Sequence, residues 1–308
     1  MNMTSKKILV TGANGFIGRK LLKYLSTLNK SLKIVSRKKI PGYENIFCNF
    51  EFDMISPDLL IDVDTIYHLA GFAHDKNHIG LTEDKYFNIN TVATIRLAII
   101  AAKCNVRRFI FISSVKAGGI PDKDKCFSEE DQKNPDGLYG KTKRDAEIKL
   151  LEIGNNSNMS VSIIRPSLVY GPNVKGNLKS MLNGVKKGWF PPLPEVRNLR
   201  SMVHVDDLVL SMVFIANNST TDGEIYIVTD GINYSSREIY DTMRLISGKD
   251  IPKWSLPKKI FQILSLLNSN IEYKVNKLLG SECYSSNKLR KLGFQTNKTL
   301  SDFNETDF

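Results

Sequence analysis

Short runs of apolar and β-branched residues alternate with amphipathic segments through the first half of the chain. Lys7–Thr11 and Leu32–Ser36 have the composition of buried strands. Between these strands, apolar residues recur at the spacing of one helix face, at Ile17, Leu21, Leu25 and Leu28. Further strands are predicted over residues 45–49, 64–70, 108–113, 160–165 and 224–229, and further helices around 90–104 and over 138–152.

This alternation predicts the α/β class, with a parallel sheet covered by helices on both faces. It loosens after residue 170, where prolines and glycines interrupt the pattern, and most of the chain from residue 234 onward is predicted to be helical. We therefore expect a main domain over residues 1–170 and a smaller lobe over most of 171–308. The strand near 224–229 is expected to return to the main sheet.

Composition and charge narrow the class of protein. The chain has 308 residues, of which 42% are hydrophobic and 24% charged, and these values exclude wholesale disorder. The formal charge of +11 is spread along the chain, which favours a solvated basic surface over a nucleic-acid site. No apolar run approaches the ~20 residues of a membrane span. Residues 1–10 lead directly into a strand, so we expect no signal peptide and a cytoplasmic location.

The cysteines and histidines show no metal-site pattern. Cys48, Cys104, Cys126 and Cys283 are scattered, and we expect reduced thiols. His74 and His78 are four residues apart, but no third ligand accompanies them, so we predict no metal.

The strongest local motif is a glycine-rich turn directly after the first strand. Gly12, Gly15 and Gly18 stand three residues apart, and a helix follows at once. Glycines allow a pyrophosphate to lie against the backbone at the helix N-terminus. The sequence therefore predicts a Rossmann-type, doubly wound parallel sheet that binds a dinucleotide, followed by a C-terminal substrate-binding lobe.

The end of the second strand bears on the choice of cofactor. An acidic residue at that place would hold a ribose 2′-hydroxyl, but Arg37 and Lys38 stand there instead. These cations could pair with a 2′-phosphate, so the sequence favours NADP(H), with NAD(H) as the alternative.

A tyrosine and a lysine open the helix predicted over 138–152. Tyr139 and Lys143 lie on one helical face, where the ammonium could lower the pKa of the phenol. Tyr139 then suits general acid–base chemistry at a sugar hydroxyl or carbonyl. Ser113 and Ser114 end the fifth strand, at the sheet edge where ligands bind in this class.

Taken together, these motifs resemble those of the extended short-chain dehydrogenase/reductase family, of the NAD-dependent epimerase/dehydratase type. The similarity extends to the segments 67–71 and 165–172 and to Asn90. It implies that Ser114, Tyr139 and Lys143 are catalytic, and that Asn90 supports the architecture. The cofactor residues it implies, in addition to the glycines, Arg37, Lys38, Tyr139 and Lys143, are Phe16, Ile17, Leu69, Ala70, Gly71, Pro166 and Val169.

The C-terminal half resembles nucleotide-sugar enzymes of surface-polysaccharide synthesis, such as that of O-antigen. By this resemblance, Asn177 and Arg200 would hold a UDP diphosphate, and Ser114 and Lys116 would contact the sugar. A homodimer is usual for such relatives.

The resulting function prediction is an NAD(P)-dependent oxidoreductase acting at sugar C4. The main hypothesis is a reductase that uses NADPH on a UDP-4-keto-6-deoxy-HexNAc. The alternative is a UDP-hexose or UDP-HexNAc 4-epimerase with tightly bound NAD, and a distant third is a non-catalytic dinucleotide sensor.

One apolar segment lies outside this prediction. Residues 256–267, with Lys258 and Lys259, are expected to pack within the lobe, and the alternative is a basic amphipathic helix on a membrane surface.

Overall fold

The computed structural model describes residues 6–73, 82–122 and 125–303, so His74 and His78 lie outside the described residues. The strands form two sheets. They are β1 (Lys7–Thr11), β2 (Leu32–Ser36), β3 (Glu44–Phe47), β4 (Val63–His68), β5 (Arg108–Ile112), β6 (Ser160–Pro166), β7 (Leu168–Tyr170), β8 (Arg200–His204), β9 (Ile225–Val228) and β10 (Asn233–Tyr234). The parallel main sheet has the order β3-β2-β1-β4-β5-β6-β9, and a small sheet has the order β10-β8-β7.

The helices follow the strands in alternation through the first half. They are α1 (Phe16–Thr27), α2 (Thr82–Phe87), α3 (Ala93–Lys103), α4 (Gly137–Asn155), α5 (Gly176–Lys187), α6 (Val205–Asn217), α7 (Ser236–Leu245), α8 (Lys258–Ser265), α9 (Ser269–Leu279) and α10 (Asn287–Lys291). A π-helical turn over Asn88–Val92 joins α2 to α3. The predicted helix around 90–104 is therefore two elements.

Both faces of the main sheet are covered, as the alternation of apolar residues predicts. In β1, Val10 belongs to a core with residues of α1 and α6, whereas its neighbour Leu9 belongs to a core with residues of α3 and α4. Successive side chains of a strand point to opposite faces, so one buried strand serves two cores. This confirms the α/β, doubly wound fold class.

The second half forms a third core beside the sheet. Residues of α5 and α7, among them Tyr240, pack there with Tyr170 and Met202. The main sheet continues beyond residue 171, because β9 lies parallel to β6. The division of the chain near residue 171 stays a prediction.

The α8 helix departs from the expectation that residues 256–267 pack within the lobe. Phe261 is the buried residue of α8, while Ile263, Leu266 and Leu267 are exposed. The expectation of packing is therefore wrong for most of this segment. Among the described residues, every helix is too short or too polar to span a bilayer.

The expectation of four reduced thiols is also wrong. Cys126 and Cys283 form a disulfide with their Cα atoms 4.4 Å apart, whereas Cys48 and Cys104 are free. Spacing gave no hint of this pair, because 157 positions separate the two residues. The fold aligns them through the bridge between Phe127 and Tyr284.

Candidate active site

The turn between β1 and α1 is shaped by its glycines. Gly12 has φ +68°, and a Cβ there would lie 2.6 Å from the backbone of Leu69 and Ala70. Gly15 begins α1 without a side-chain cap, and no acidic residue lies in the first turn. Backbone N–H groups at the start of α1 are therefore available to an anion. The turn and the uncapped helix fit the pyrophosphate of a dinucleotide.

Arg37 and Lys38 lie beside this turn. Both are exposed where β2 ends, and the Asn14 side-chain amide of the glycine turn donates to the Lys38 carbonyl at 3.4 Å. Ser36 donates its hydroxyl to the same carbonyl. Two cations thus stand where the sequence predicts the ribose end of the cofactor site.

A buried histidine braces the segment after β4. The His68 ring bonds Thr11 through Nδ1 at 2.8 Å and Thr94 through Nε2 at 2.9 Å. Burial, with a smaller effect from Lys143, lowers the pKa of His68 to about 3, so the ring is neutral. Thr11 also accepts from the Ala70 N–H at 3.1 Å. This network fixes Leu69, Ala70 and Gly71 at the carboxyl end of the strand.

Asn90 ties that segment to α4. Its side chain accepts from the Phe72 N–H at 2.7 Å, donates to the Phe72 carbonyl at 2.9 Å and donates to Thr142 Oγ1 at 3.2 Å. The residue lies in the π-helical turn, a local irregularity that is frequent at functional sites. A Cβ on Gly71 would lie 3.3 Å from Asn90 Oδ1 and 3.2 Å from Lys143 Nζ. Asn90 therefore positions the backbone next to Lys143.

Tyr139 and Lys143 lie one turn apart on α4, and burial dominates the pKa of both. It raises the pKa of Tyr139 to about 12, with a further contribution from Tyr86. It lowers the pKa of Lys143 to about 8, against the opposing effect of Glu147. Lys143 Nζ donates to the Ile112 carbonyl at 2.9 Å. The expected lowering of the phenol pKa by Lys143 is not seen here.

Serines mark the carboxyl ends of the two neighbouring strands β5 and β6. Ser114 is half-buried, and its Oγ accepts from the Lys116 N–H at 3.3 Å. Ser113 Oγ and Ser167 Oγ are buried and have no hydrogen-bond partner among the described residues. Buried hydroxyls without a partner are costly, so a polar group of a bound molecule would satisfy them. Pro166 and Val169, on either side of Ser167, are buried and half-buried.

The predicted substrate residues have different surroundings. Lys116 is paired with Asp136 at 2.6 Å, and although burial opposes its charge, this partner raises the pKa of the lysine. Asn177 is exposed in the first turn of α5. Arg200 is buried and donates to the Lys277 carbonyl at 3.0 Å, and it lies 3.4 Å from the Glu282 carboxylate. The diphosphate-binding role of Arg200 stays a prediction.

Sequence reasoning missed Tyr86 as a neighbour of Tyr139. The Tyr86 and Tyr139 rings have centroids 6.5 Å apart, and Phe72 packs on Tyr86 at 4.8 Å. The aromatic pair connects α2 to α4. Its signal in the sequence is weak, because more than fifty residues separate the two tyrosines.

The chain is similar to proteins named as sugar 4-epimerases. A family model described as NAD dependent epimerase/dehydratase family matches residues 8–229. A UDP-glucose 4-epimerase of Vibrio cholerae is 35% identical over 266 residues, which are 83% of this chain and 80% of the relative. An N-acetyl-α-D-glucosaminyl-diphospho-ditrans,octacis-undecaprenol 4-epimerase of Escherichia coli O157:H7 is 25% identical, covering 96% of this chain and 92% of its own.

A solved structure with the same fold contains both a cofactor and a substrate. The UDP-glucuronic acid 4-epimerase of Bacillus cereus, in complex with UDP-glucuronic acid and NAD, matches with a TM-score of 0.78. The match covers 98% of this chain and 97% of that chain at 20% identity. The structural neighbour binds NAD, and it supports the fold described above.

Proposed function

Since the chain belongs to the NAD dependent epimerase/dehydratase family, we propose that it is a UDP-sugar 4-epimerase that holds NAD. The observation that carries the proposal is the similarity to the Vibrio cholerae epimerase over most of both chains. The sequence motifs alone favour a reductase over an epimerase, whereas the similarity to named 4-epimerases favours the epimerase. The proposed substrate class is a UDP-hexose or UDP-HexNAc.

In this proposal, the side chains of α4 and β5 handle the proton at the C4 oxygen. Tyr139 exchanges that proton, and Ser114 donates a hydrogen bond to the same oxygen. With a pKa of about 12, Tyr139 is protonated at neutral pH, the state needed to protonate a C4 oxyanion. For Tyr139 to act as a base, positive charge must stabilise the phenolate, and Lys143 one turn away is the candidate. NAD, when bound, supplies the acceptor and donor of the C4 hydride.

The cofactor would lie along the carboxyl ends of β1, β4, β5 and β6. Gly12, Gly15 and Gly18, with the backbone of Phe16 and Ile17, would hold the pyrophosphate. Ala70 and Gly71 would line the middle of the cofactor. The partnerless hydroxyls of Ser113 and Ser167 support a polar group at the nicotinamide end, next to Pro166 and Val169.

The proposal is tested by an assay for conversion of UDP-glucose or UDP-GlcNAc to the C4 epimer. An epimerase performs this conversion without a net change in nicotinamide absorbance. We expect turnover in the wild type and a loss of at least about 100-fold in Tyr139→Phe. Tyr43→Phe is the matched control, because Tyr43 bonds Ser26 in the last turn of α1, and α1 packs on the face of the sheet opposite to α4. Unchanged turnover in Tyr139→Phe would contradict the catalytic assignment.

A 4-ketoreductase that uses NADPH is the second candidate. It is favoured by Arg37 and Lys38, which stand beside the glycine turn with no carboxylate at the end of β2. Stoichiometric loss of NADPH with a UDP-4-keto-6-deoxy-HexNAc would establish it. In that case Arg37→Ala should weaken NADPH binding about tenfold and leave NADH binding unchanged, because a charge-assisted bond to the 2′-phosphate is lost.

The carrier of the sugar can be tested in the same assay. The Escherichia coli relative is named for a sugar linked to undecaprenol through a diphosphate. Here the exposed apolar face of α8 adjoins α9, whose Lys277 carbonyl contacts Arg200. A lipid-linked sugar diphosphate is therefore the second carrier to offer. UDP remains the proposed carrier. Turnover of the lipid-linked sugar, with no turnover of the UDP-sugars, would overturn that choice.

A further inference from the structure

Helix α8 presents an apolar face to solvent. Ile260, Ile263, Leu264 and Leu267 recur at helical spacing, and Leu266 lies next to Leu267 just after the last residue of the helix. Ile263 and Leu267 are each 64% exposed, and Leu266 is 84% exposed. Phe261 anchors the helix to the third core from the opposite side. A monomeric protein seldom exposes so many neighbouring large apolar side chains without a partner for them.

Basic residues border this face. Lys253, Lys258 and Lys259 are exposed, and Trp254 lies among them. Within the described structure, none of these lysines pairs with a carboxylate, and residues 251–271 include no Asp or Glu. We call Lys253, Trp254, Lys258, Lys259 and the five apolar residues of the α8 face the apolar–basic surface. Its partner must accept both apolar side chains and positive charge.

We propose that the apolar–basic surface docks the protein on an anionic lipid bilayer. The apolar residues of α8 enter the boundary between headgroups and acyl chains, and the lysines face the lipid phosphates. Trp254 lies at the level of the headgroups, where indole rings concentrate. The net charge of +11 adds long-range attraction to the same surface.

Charge argues against a second copy of the chain as the partner. A two-fold symmetric dimer through this surface brings the same patch of both copies together. The three lysines of one copy would then face three lysines of the other, and the segment that carries them, residues 251–271, has no Asp or Glu of its own to neutralise them. An anionic bilayer offers the opposite charge and an apolar interior. The proposal does not depend on the reaction that the site catalyses.

Vesicle co-sedimentation tests the docking. The full chain is mixed with vesicles of phosphatidylglycerol and phosphatidylcholine, or of phosphatidylcholine alone. We expect binding to the anionic vesicles that weakens as salt is added, and at least about tenfold weaker partition in Lys258→Glu/Lys259→Glu. Ile263→Glu/Leu266→Glu should also abolish binding. Ile61→Glu is the control, because Ile61 is 59% exposed in the cofactor half of the chain.

Equal binding of the wild type and Ile263→Glu/Leu266→Glu would overturn the proposal, as would equal binding to both vesicle types. Thermal unfolding of each variant shows whether it remains folded. A different outcome would assign the surface to contacts between copies: the wild type does not bind vesicles but sediments as a dimer, and Ile263→Glu/Leu266→Glu sediments as a monomer. In Trp189→Phe, which leaves Trp254 as the remaining tryptophan, a blue shift of fluorescence on anionic vesicles is the second expected readout.

Discussion

Lys143 carries its charge where burial opposes it. The residue is 2% exposed, with its ammonium 4.4 Å from the centroid of the Phe111 ring and bonded to the Ile112 carbonyl. The pKa of about 8 lies well below the ordinary value of lysine, mainly because of burial. Folding therefore buries a lysine that is still mainly charged at neutral pH, which is a cost to stability that a catalytic role would explain.

We expect Lys143→Met to raise the free energy of unfolding while it abolishes turnover. The difference between the ordinary lysine pKa and about 8 corresponds to about 3 kcal/mol at pH 7. The Ile112 carbonyl loses its donor, so the net gain should be about 1–2 kcal/mol. Urea unfolding measures the gain. Lys141→Met, an exposed neighbour on α4, should change neither property.

The gain in Lys143→Met should depend on pH in a defined direction. The unfolded chain binds more protons than the native one between pH 8 and the ordinary lysine pKa, so this residue makes stability rise with pH through that window. Its cost is fully present below pH 8. The variant should therefore be more stable than the wild type at pH 7 and less stable above pH 10, where only the loss of the bond to the Ile112 carbonyl remains. A difference that does not change with pH would contradict the buried charge.

The π-helical turn is the element that joins the segment after β4 to α4. Asn90→Ala would leave the Phe72 N–H and carbonyl without their partner and remove the bond to Thr142. We expect a loss of about 2–4 kcal/mol in the free energy of unfolding and a fall in turnover. Asn88→Ala is the matched control, since Asn88 is exposed in the same turn. Equal losses in the two variants would contradict the positioning role of Asn90.

The elements that could be predicted are those whose signal is local. β1 and α1 follow from a buried apolar run, a glycine turn and one helical face, and β1 and β2 have the predicted bounds. The π-helical turn has no distinct periodicity, so it was merged with α3. The small sheet was missed because β7 and β10 are only three and two residues long. Their pairing with β8 depends on the tertiary fold.

The position of a site residue could be predicted where the residue belongs to a short local motif. The glycine turn and the Tyr139–Lys143 spacing are local, and the structure places them at the carboxyl ends of the strands. The partners of Arg200 and Lys116 come from distant segments, and no spacing rule identifies Glu282 or Asp136. The pKa of Tyr139 depends on burial by the folded chain, so the residue pair alone predicted the wrong direction.

At the scale of the whole molecule, residues 282–284 connect the loop after Ser114 to β8. The Glu282 carboxylate is paired with Arg200, and the Tyr284 hydroxyl donates to the Gly119 carbonyl at 3.3 Å. Between them, Cys283 is bonded to Cys126. The loop after Ser114 is therefore fixed to the strand that carries the predicted diphosphate residue.

The contribution of the disulfide to the free energy of unfolding can be measured. A cross-link between residues 157 positions apart restricts the unfolded chain, so its loss should lower the free energy of unfolding by up to about 5 kcal/mol. Urea unfolding of the wild type with and without reductant measures this loss, and reductant should have no effect on Cys126→Ser/Cys283→Ser. Thiol titration of the denatured, unreduced protein should find two thiols, Cys48 and Cys104. Four titrating thiols would mean that the cross-link is absent, and the loop after Ser114 would then be joined to this segment by the Tyr284 hydroxyl and by the bridge between Phe127 and Tyr284.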